Sequence, residues 1–299
     1  MPAGLHRRSE TPNLLSMATV GLVLKLGAIE AVEAARPILA WCERQGVATA
    51  TEPETAESLG IAAMTKDAMF EEAEAIVVLG GDGTLLATAR LCGARKTPII
   101  GVNLGTLGFL AETPLESLTE VLADALAGKA HVEERRMLRA TVVRATGETS
   151  EHQALNDAVL SRGAMGRTID LEARIDDEFL ALFNADGLIV GTPTGSTAYN
   201  LSAGGPLIHP TVRVMILSPI CPHALNMRPI VVHDSSTLEL RLGSSREELL
   251  LTLDGQETVQ VSSEDTIRIS CSTFEACLVT APDISFYELL RRKLGWARP

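Results

Sequence analysis

Gly80-Gly81-Asp82-Gly83-Thr84 is the segment of this chain whose residue types and spacing are best suited to chemistry. Glycines at a turn let the backbone approach a ligand closely and take dihedrals closed to other residues. A helix beginning at such a turn offers free N–H groups and a partial positive charge, which suits phosphate. An acid embedded there would repel a bare anion. It makes sense if the carboxylate faces the other reactant, or reaches the phosphates through Mg²⁺. A tight strand-to-helix turn with Asp82 as N-cap explains the same spacing.

Three further segments carry polar groups in unusual density. Gly101-Val-Asn-Leu-Gly-Thr-Leu-Gly108-Phe-Leu holds three glycines in eight residues. It reads either as a second ligand loop on the same sheet edge or as close helix–strand packing. Asp186 to Pro206 places five glycines and many hydroxyls behind an acid. A loop of that length and small side-chain size would lose much entropy on ordering without a ligand or partner to fix it. Its hydroxyls and N–H groups suit a ribose, an amide or a phosphate. Asn156-Asp157 pairs an amide with a carboxylate and could hold the two hydroxyls of a ribose, or form a turn.

Several classes are excluded. The Gly80 loop is not G-x-G-x-x-G, because Leu86 stands where the third glycine belongs. The only Gly-Lys, Gly128-Lys129, is followed by Ala130 and is no Walker A loop, and neither a G-x-S-x-G elbow nor an H-R-D set occurs. A net charge of −12 over 299 residues argues against a nucleic-acid partner. No uncharged run is long and apolar enough to span a bilayer, so no membrane partner is expected. Residues 1–17 read as a ragged leader ahead of a first buried strand, Ala18–Leu24, and the expected location is the cytoplasm. Five cysteines with no C-x-x-C pair read as reduced thiols. Cys221 and His223 lack further spaced partners, His209 and His223 read as structural, and no transition-metal site is expected. The cluster Glu71-Glu72-Ala73-Glu74 reads as a solvated face.

The elements that must position these residues follow from periodicity. Apolar runs at Ala18–Leu24, Ala75–Leu79 and Pro98–Val102 read as buried parallel strands. Val32, Ala35, Leu39 and Cys42 fall at helical spacing, with Pro37 predicting a kink or a later start. Helices are also expected over Leu85–Leu91 and Leu115–Leu126. This alternation predicts a doubly wound parallel α/β domain over residues 1–130. Short alternating runs separated by turn signals then predict a mainly antiparallel β domain over 131–280. The tail, 281–299, turns helical and should return to the first domain, since Phe286, Leu289 and Leu290 would otherwise expose an apolar stripe.

In order and approximate spacing, Gly80–Thr84, Asn103–Leu110, Asn156-Asp157, Asp186–Pro206 and Leu253–Gln256 resemble the NAD kinase family. The likeness runs from about Ala18 to Trp296, and TPTGSTAYNLSAGGP is its most specific part. The resemblance implies phosphoryl transfer from ATP, or a polyphosphate, to the 2′-hydroxyl of the adenosine ribose of NAD. It implies that Asp82 is the general base and Gly83 a nucleotide contact. Asn156 and Asp157 match the family's Asn-acid pair, in which many members carry Asn-Glu. Asp186 and the run Thr197, Ala198, Tyr199, Asn200, Leu201 and Ser202 match residues that seat NAD, and Gln256 matches a polar contact. Arg167 falls where many members place a basic or imidazole side chain. Asn184 stands where many carry Arg or Lys. Mg²⁺ bound with the nucleotide and a homodimer or homotetramer are further implications. The readings outside this family are a kinase with the same loop acting on a lipid or sugar alcohol, and a non-catalytic dinucleotide sensor.

Overall fold

The computed structural model describes residues 18–91, 94–105, 108–163, 168–243, 249–280 and 285–296. The leader reading and Arg167 lie outside them. The first described stretch forms β1 (Thr19–Leu24), α1 (Ile29–Gln45), β2 (Ala48–Thr51), α2 (Pro53–Leu59), β3 (Ala62–Ala63), α3 (Lys66–Glu72), β4 (Ala75–Leu79), α4 (Asp82–Ala89), β5 (Pro98–Val102) and α5 (Leu118–Leu126). The strands run parallel in the order β3-β2-β1-β4-β5.

The AIVVL run of β4 shows why such a strand reads as continuously apolar. Ala75, Val77 and Leu79 pack with Ile38 of α1 and Leu122 of α5 on one face. Ile76 and Val78 pack with Phe70 of α3 and Leu85 of α4 on the other. Both faces are dry, so alternation disappears. Pro37 does not shorten α1, which runs through it with the loss of one backbone hydrogen bond. The chain order reverses between β1 and β4, and ligands of doubly wound sheets bind in the crevice at such a switch point. The GGDGT loop follows β4 at that place.

The remaining elements are β6 (Val132–Val143), β7 (Thr149–Ala154), β8 (Asp157–Arg162), β9 (Ile169–Ile175), β10 (Glu178–Ala185), β11 (Gly187–Gly191), α6 (Tyr199–Ser202), β12 (Val214–Ile220), β13 (Ile230–His233), β14 (Thr237–Leu242), β15 (Leu249–Leu253), β16 (Glu257–Val261), β17 (Thr266–Val279) and α7 (Phe286–Leu294). An antiparallel sheet in the order β13-β12-β11-β8-β15-β16 faces the larger one. Leu160, Leu188 and Leu217 from it meet Leu138, Phe183, Leu240 and Ile269 in a single core. This is a β-sandwich.

One strand joins the two architectures. β17 pairs antiparallel with β14 and β6, and its last residues, Cys277–Val279, pair parallel with β5. Its register against β6 slips between Cys271 and Glu275. Such an irregularity bends a strand without ending it. Ile267–Ser270 and Ala276–Val279, which the sequence pattern separates, are therefore one strand. Among the described residues an eleven-stranded sheet runs through both halves.

The tail does return. Ser285 caps α7 by accepting from Glu288 N at 3.2 Å, and Leu289 and Leu290 are buried. Lys293 Nζ lies 5.7 Å from the ring centroid of Phe109, just beyond β5, and Phe286 meets His209 edge-on at 5.0 Å.

Candidate active site

Asp82 opens α4, and its N-cap is Gly81 rather than Asp82 itself. The capping alternative is thereby set aside, because the carboxylate points to another loop. Asp82 Oδ2 accepts from Phe109 N at 2.8 Å, and Oδ1 accepts from Leu110 N at 3.2 Å and Ala111 N at 3.1 Å. Three successive backbone donors thus hold one carboxylate. Gly108 makes this possible: a Cβ there would overlap Asp82 Oδ1.

The second polar centre lies where β7 passes into β8. Asp254, in the turn after β15, accepts from Leu155 N at 3.0 Å, Asn156 N at 2.7 Å and Asp157 N at 3.2 Å. Its own N–H donates to Asp157 O at 2.9 Å. Thr192 donates through Oγ1 to Leu155 O at 2.6 Å and through its N–H to Asn156 O at 2.9 Å. Gly195 lies against the same carbonyl, where any Cβ would collide with Asn156 O. The Asn156-Asp157 backbone is pinned on both its donor and acceptor sides.

Asn156, Asp157, Ala198 and Tyr199 line one cavity of about 340 Å³, with Val159 and Ser161. Asp157, Val159 and Ser161 share the outer face of β8, since strand side chains alternate, so the cavity runs along that strand. Burial pushes the Asp157 carboxyl up to about 7, and the neighbouring Asp254 charge adds to the rise. Asp254 is also raised by burial, with the three backbone donors and Arg90 opposing.

The two centres touch. Gln256 Nε2, two residues past Asp254, donates to Gly83 O at 2.8 Å. The start of α4, Asp82-Gly83, is therefore joined across the halves to the stretch that holds the Asp254-Gly255 turn. Thr197 adjoins Ala198 but lines a second cavity of about 280 Å³, with Phe109, Leu110, His209 and Phe286. Thr197 ends a 3-10 turn, Thr194–Thr197, that lines this second cavity, and the next residue, Ala198, lines the first.

The other expected residues are placed differently. Asn200 is fully buried, and its amide donates to Ser196 O and Pro206 O while accepting from Ser218 Oγ. Its side chain holds the glycine-rich turn together from inside. Leu201 and Ser202 complete α6 and line neither cavity. Asp186 lies one residue before β11, at the Ser161 end of the β8–β11 ladder, with Arg162 Nη2 at 3.4 Å. Asn184 Nδ2 donates to Asp170 Oδ1 at 2.6 Å, so the position is neutral and engaged. The Asp186–Pro206 segment is mostly not a loop: β11, a 3-10 turn and α6 absorb it. The sequence reading held Asp254 and Thr192 only as members of the Leu253–Gln256 and Asp186–Pro206 segments, and it did not single out Arg90. Asp254-Gly255 carries only an ordinary turn signal, and nothing local shows that its carboxylate reaches residues nearly a hundred positions earlier.

A doubly wound sheet with a glycine-rich helix start, facing a β-sandwich that presents an amide–carboxylate pair, defines a small-molecule kinase of two halves. Residues 20–130 match the family model of the ATP-NAD kinase N-terminal domain, and residues 155–281 that of the ATP-NAD kinase C-terminal domain. The NAD kinase of Trichlorobacter lovleyi is 45% identical over 264 residues, covering 88% of this chain and 93% of that protein. That of Geotalea daltonii is 42% identical over 281 residues, covering 94% and 99%. Among solved structures, yeast NADH kinase complexed with NADH is similar at a TM-score of 0.87 and 26% identity, covering 95% of this chain and 89% of that one. An NAD kinase from Archaeoglobus fulgidus in complex with ATP gives 0.72 and 25%, covering 93% and 97%. The chain belongs to the NAD kinase family.

Proposed function

We propose that this chain transfers the terminal phosphoryl group of ATP to the 2′-hydroxyl of the adenosine ribose of NAD, giving NADP and ADP, with Asp82 as general base. The observation that carries the reading is the Gln256–Gly83 hydrogen bond, which sets the Asp82 loop against the turn that pins Asn156 and Asp157. One ligand can meet both centres only by lying between the halves, a usual place for small-molecule sites.

Each residue then has a role. Asn156 and Asp157 hold ribose hydroxyls, with Ala198 and Tyr199 against the base and Thr197 on the wall of the second cavity. Gly83 and the start of α4 face the donor phosphates. A carboxylate offers about four acceptor positions, and backbone donors fill three at Asp82, two on Oδ1 and one on Oδ2. The free position on Oδ2 accepts the substrate hydroxyl. As that oxygen bonds to the terminal phosphorus, its proton passes to Asp82 and the bond to the leaving ADP oxygen breaks. Arg167, Asn184, Asp186, Asn200, Leu201 and Ser202 stay outside this assignment of direct contacts.

Magnesium needs hard oxygen ligands. Among the described residues no three His, Cys, Asp or Glu side chains converge to hold an ion. The acceptor positions of Asp82 are all assigned, so the Thr84 hydroxyl is the loop oxygen left for an ion that would arrive on the nucleotide and neutralise its charge. Polyphosphate is the alternative donor. Among the described residues no helix is long and apolar enough to cross a membrane. Leu225, 91% exposed, and the exposed Phe179 and Leu182 of β10 are apolar surface for self-association. That supports a homo-oligomer, testable by light scattering.

Mixing the protein with NAD, ATP and Mg²⁺ should form NADP. Asp82→Asn should cut turnover about a hundredfold or more while binding NAD. Absence of NADP, or near-wild-type turnover in the variant, would overturn the assignment.

A further inference from the structure

We propose that Asp254 is a positioning residue of this kinase, holding Asn156 and Asp157 in place and, through Arg90, in register with the helix that carries Asp82. The proposal rests on the reading that those two residues grip the ribose of NAD.

The geometry has three parts. The Asp254 carboxylate collects three successive backbone N–H groups, those of Leu155, Asn156 and Asp157. No ladder partner could serve all three, because successive N–H groups of a strand point in opposite directions. Second, Arg90 sits at the end of α4 with Nη1 buried, 3.5 Å from Asp254 Oδ2. The helix that begins with Asp82 is thereby tied at its far end to the same carboxylate. Third, Gln256 ties the beginning of that helix to the same turn. Helix α4 is held at both ends by one four-residue stretch, Leu253 to Gln256.

Stability alone does not account for such a device. Asp254 has a fully buried, charged side chain, and its φ of +50° is the ordinary geometry of an Asp-Gly hairpin turn. A buried ion pair contributes little net stability compared with apolar packing. A buried charge of this kind persists where it fixes a geometry that apolar packing would not specify. Asp82 is held in the same way by Phe109, Leu110 and Ala111, so the site uses one arrangement twice. In one the carboxylate is the reacting group; in the other it orients the binding pair.

The charge of Asp254 also leaves a signature. The ionisable groups around Asp157 are Asp254 on the turn after β15, Arg90 on α4 behind it, and Tyr199 across the cavity. Asp254 raises Asp157, and Arg90 counters Asp254. A protonated Asp157 has fewer acceptor positions for ribose hydroxyls, so the KM for NAD should rise as pH falls through about 7.

The test is the KM for NAD and kcat between pH 5.5 and 8.5, at saturating Mg-ATP. Asp254→Asn should raise the KM about tenfold to a hundredfold, and the pH at which the KM turns should move lower because one negative charge is gone. Arg90→Gln should raise the KM in the same sense, and Arg90→Lys should restore most of it. Asp157→Asn should weaken NAD and abolish the pH turn. If it does neither, the ribose reading fails and the proposal falls with it. If Asp157→Asn behaves so while Asp254→Asn keeps both the wild-type KM and its pH turn, the positioning role alone is overturned. Should Asp254→Asn not fold, the Arg90 pair decides: an unchanged KM in Arg90→Gln overturns the proposal.

Discussion

In the proposed assignment Asp157 trades stability for binding. Its carboxyl is raised from the ordinary aspartate value of 3.8 to about 7 by burial and by Asp254. Between those two pH values the folded chain keeps a proton that the unfolded chain has released. Stability from this group therefore falls as pH rises through that window, and the full penalty is present above about 7. Asp157→Asn should raise the melting temperature relative to wild type at pH 8, with the difference fading toward pH 4. Its affinity for NAD should fall about tenfold to a hundredfold, as for hydrogen bonds to a charged group. Calorimetric melts across pH and NAD titrations at pH 8 check both signs. A variant no more stable than wild type at pH 8 would mean the carboxylate is not desolvated as described.

At the scale of elements, the loop after β5 and the tail decide how well Asp82 is held. Gly108 lies so close to the Asp82 carboxylate that any Cβ would displace either the loop or that carboxylate. Gly108→Ala should lower kcat about a hundredfold with much less effect on the KM for NAD, whose proposed contacts come from the other half. Equal losses in both parameters would show that the loop serves binding instead. The tail helix α7 shares a cavity wall with Phe109 and Leu110, and its Lys293 reaches to the Phe109 ring. Burying Leu289 and Leu290 contributes about 1.5–3 kcal/mol each. A chain ending at Asp283 should therefore melt at lower temperature and lose solubility. Unchanged melting and solubility would show that the tail is dispensable.

At the scale of the whole molecule, the shared sheet and the Gln256–Gly83 contact make the halves one framework around a cleft. A ligand filling that cleft binds the folded state alone. NAD at a hundredfold excess over its Kd should add about 2.7 kcal/mol of stability. Asn156→Ala and Thr197→Ala should weaken NAD, while Asp82→Asn should chiefly lower the rate. Calorimetric titration of the three variants separates these effects. Unchanged affinity in both of the first two would place the dinucleotide outside the cleft.

The amino-acid sequence alone determined whatever depends on neighbours along the chain. The dry AIVVL strand, the glycine turn that starts α4, the alternating strands of the second half and the amphipathic tail are all set by side-chain period and local backbone preference. The motif order also sufficed to place the chain near the NAD kinases. The tertiary structure decided what depends on residues far apart. Which partner the Asp82 carboxylate takes is settled by backbone 27 to 29 positions later. Asp254 reads as a turn residue until β15 lies beside β8 and brings it under Asn156. Asn200 looks like one more polar group of a binding loop, yet the folded turn surrounds its amide with acceptors and a donor of its own. β17 looks like two strands because its apolar pattern is interrupted, and only the register slip against β6 makes it one. Hydrogen-bond partners of a carboxylate or an amide carry no period in the sequence, since any backbone N–H can fill the place; the fold alone selects which one does.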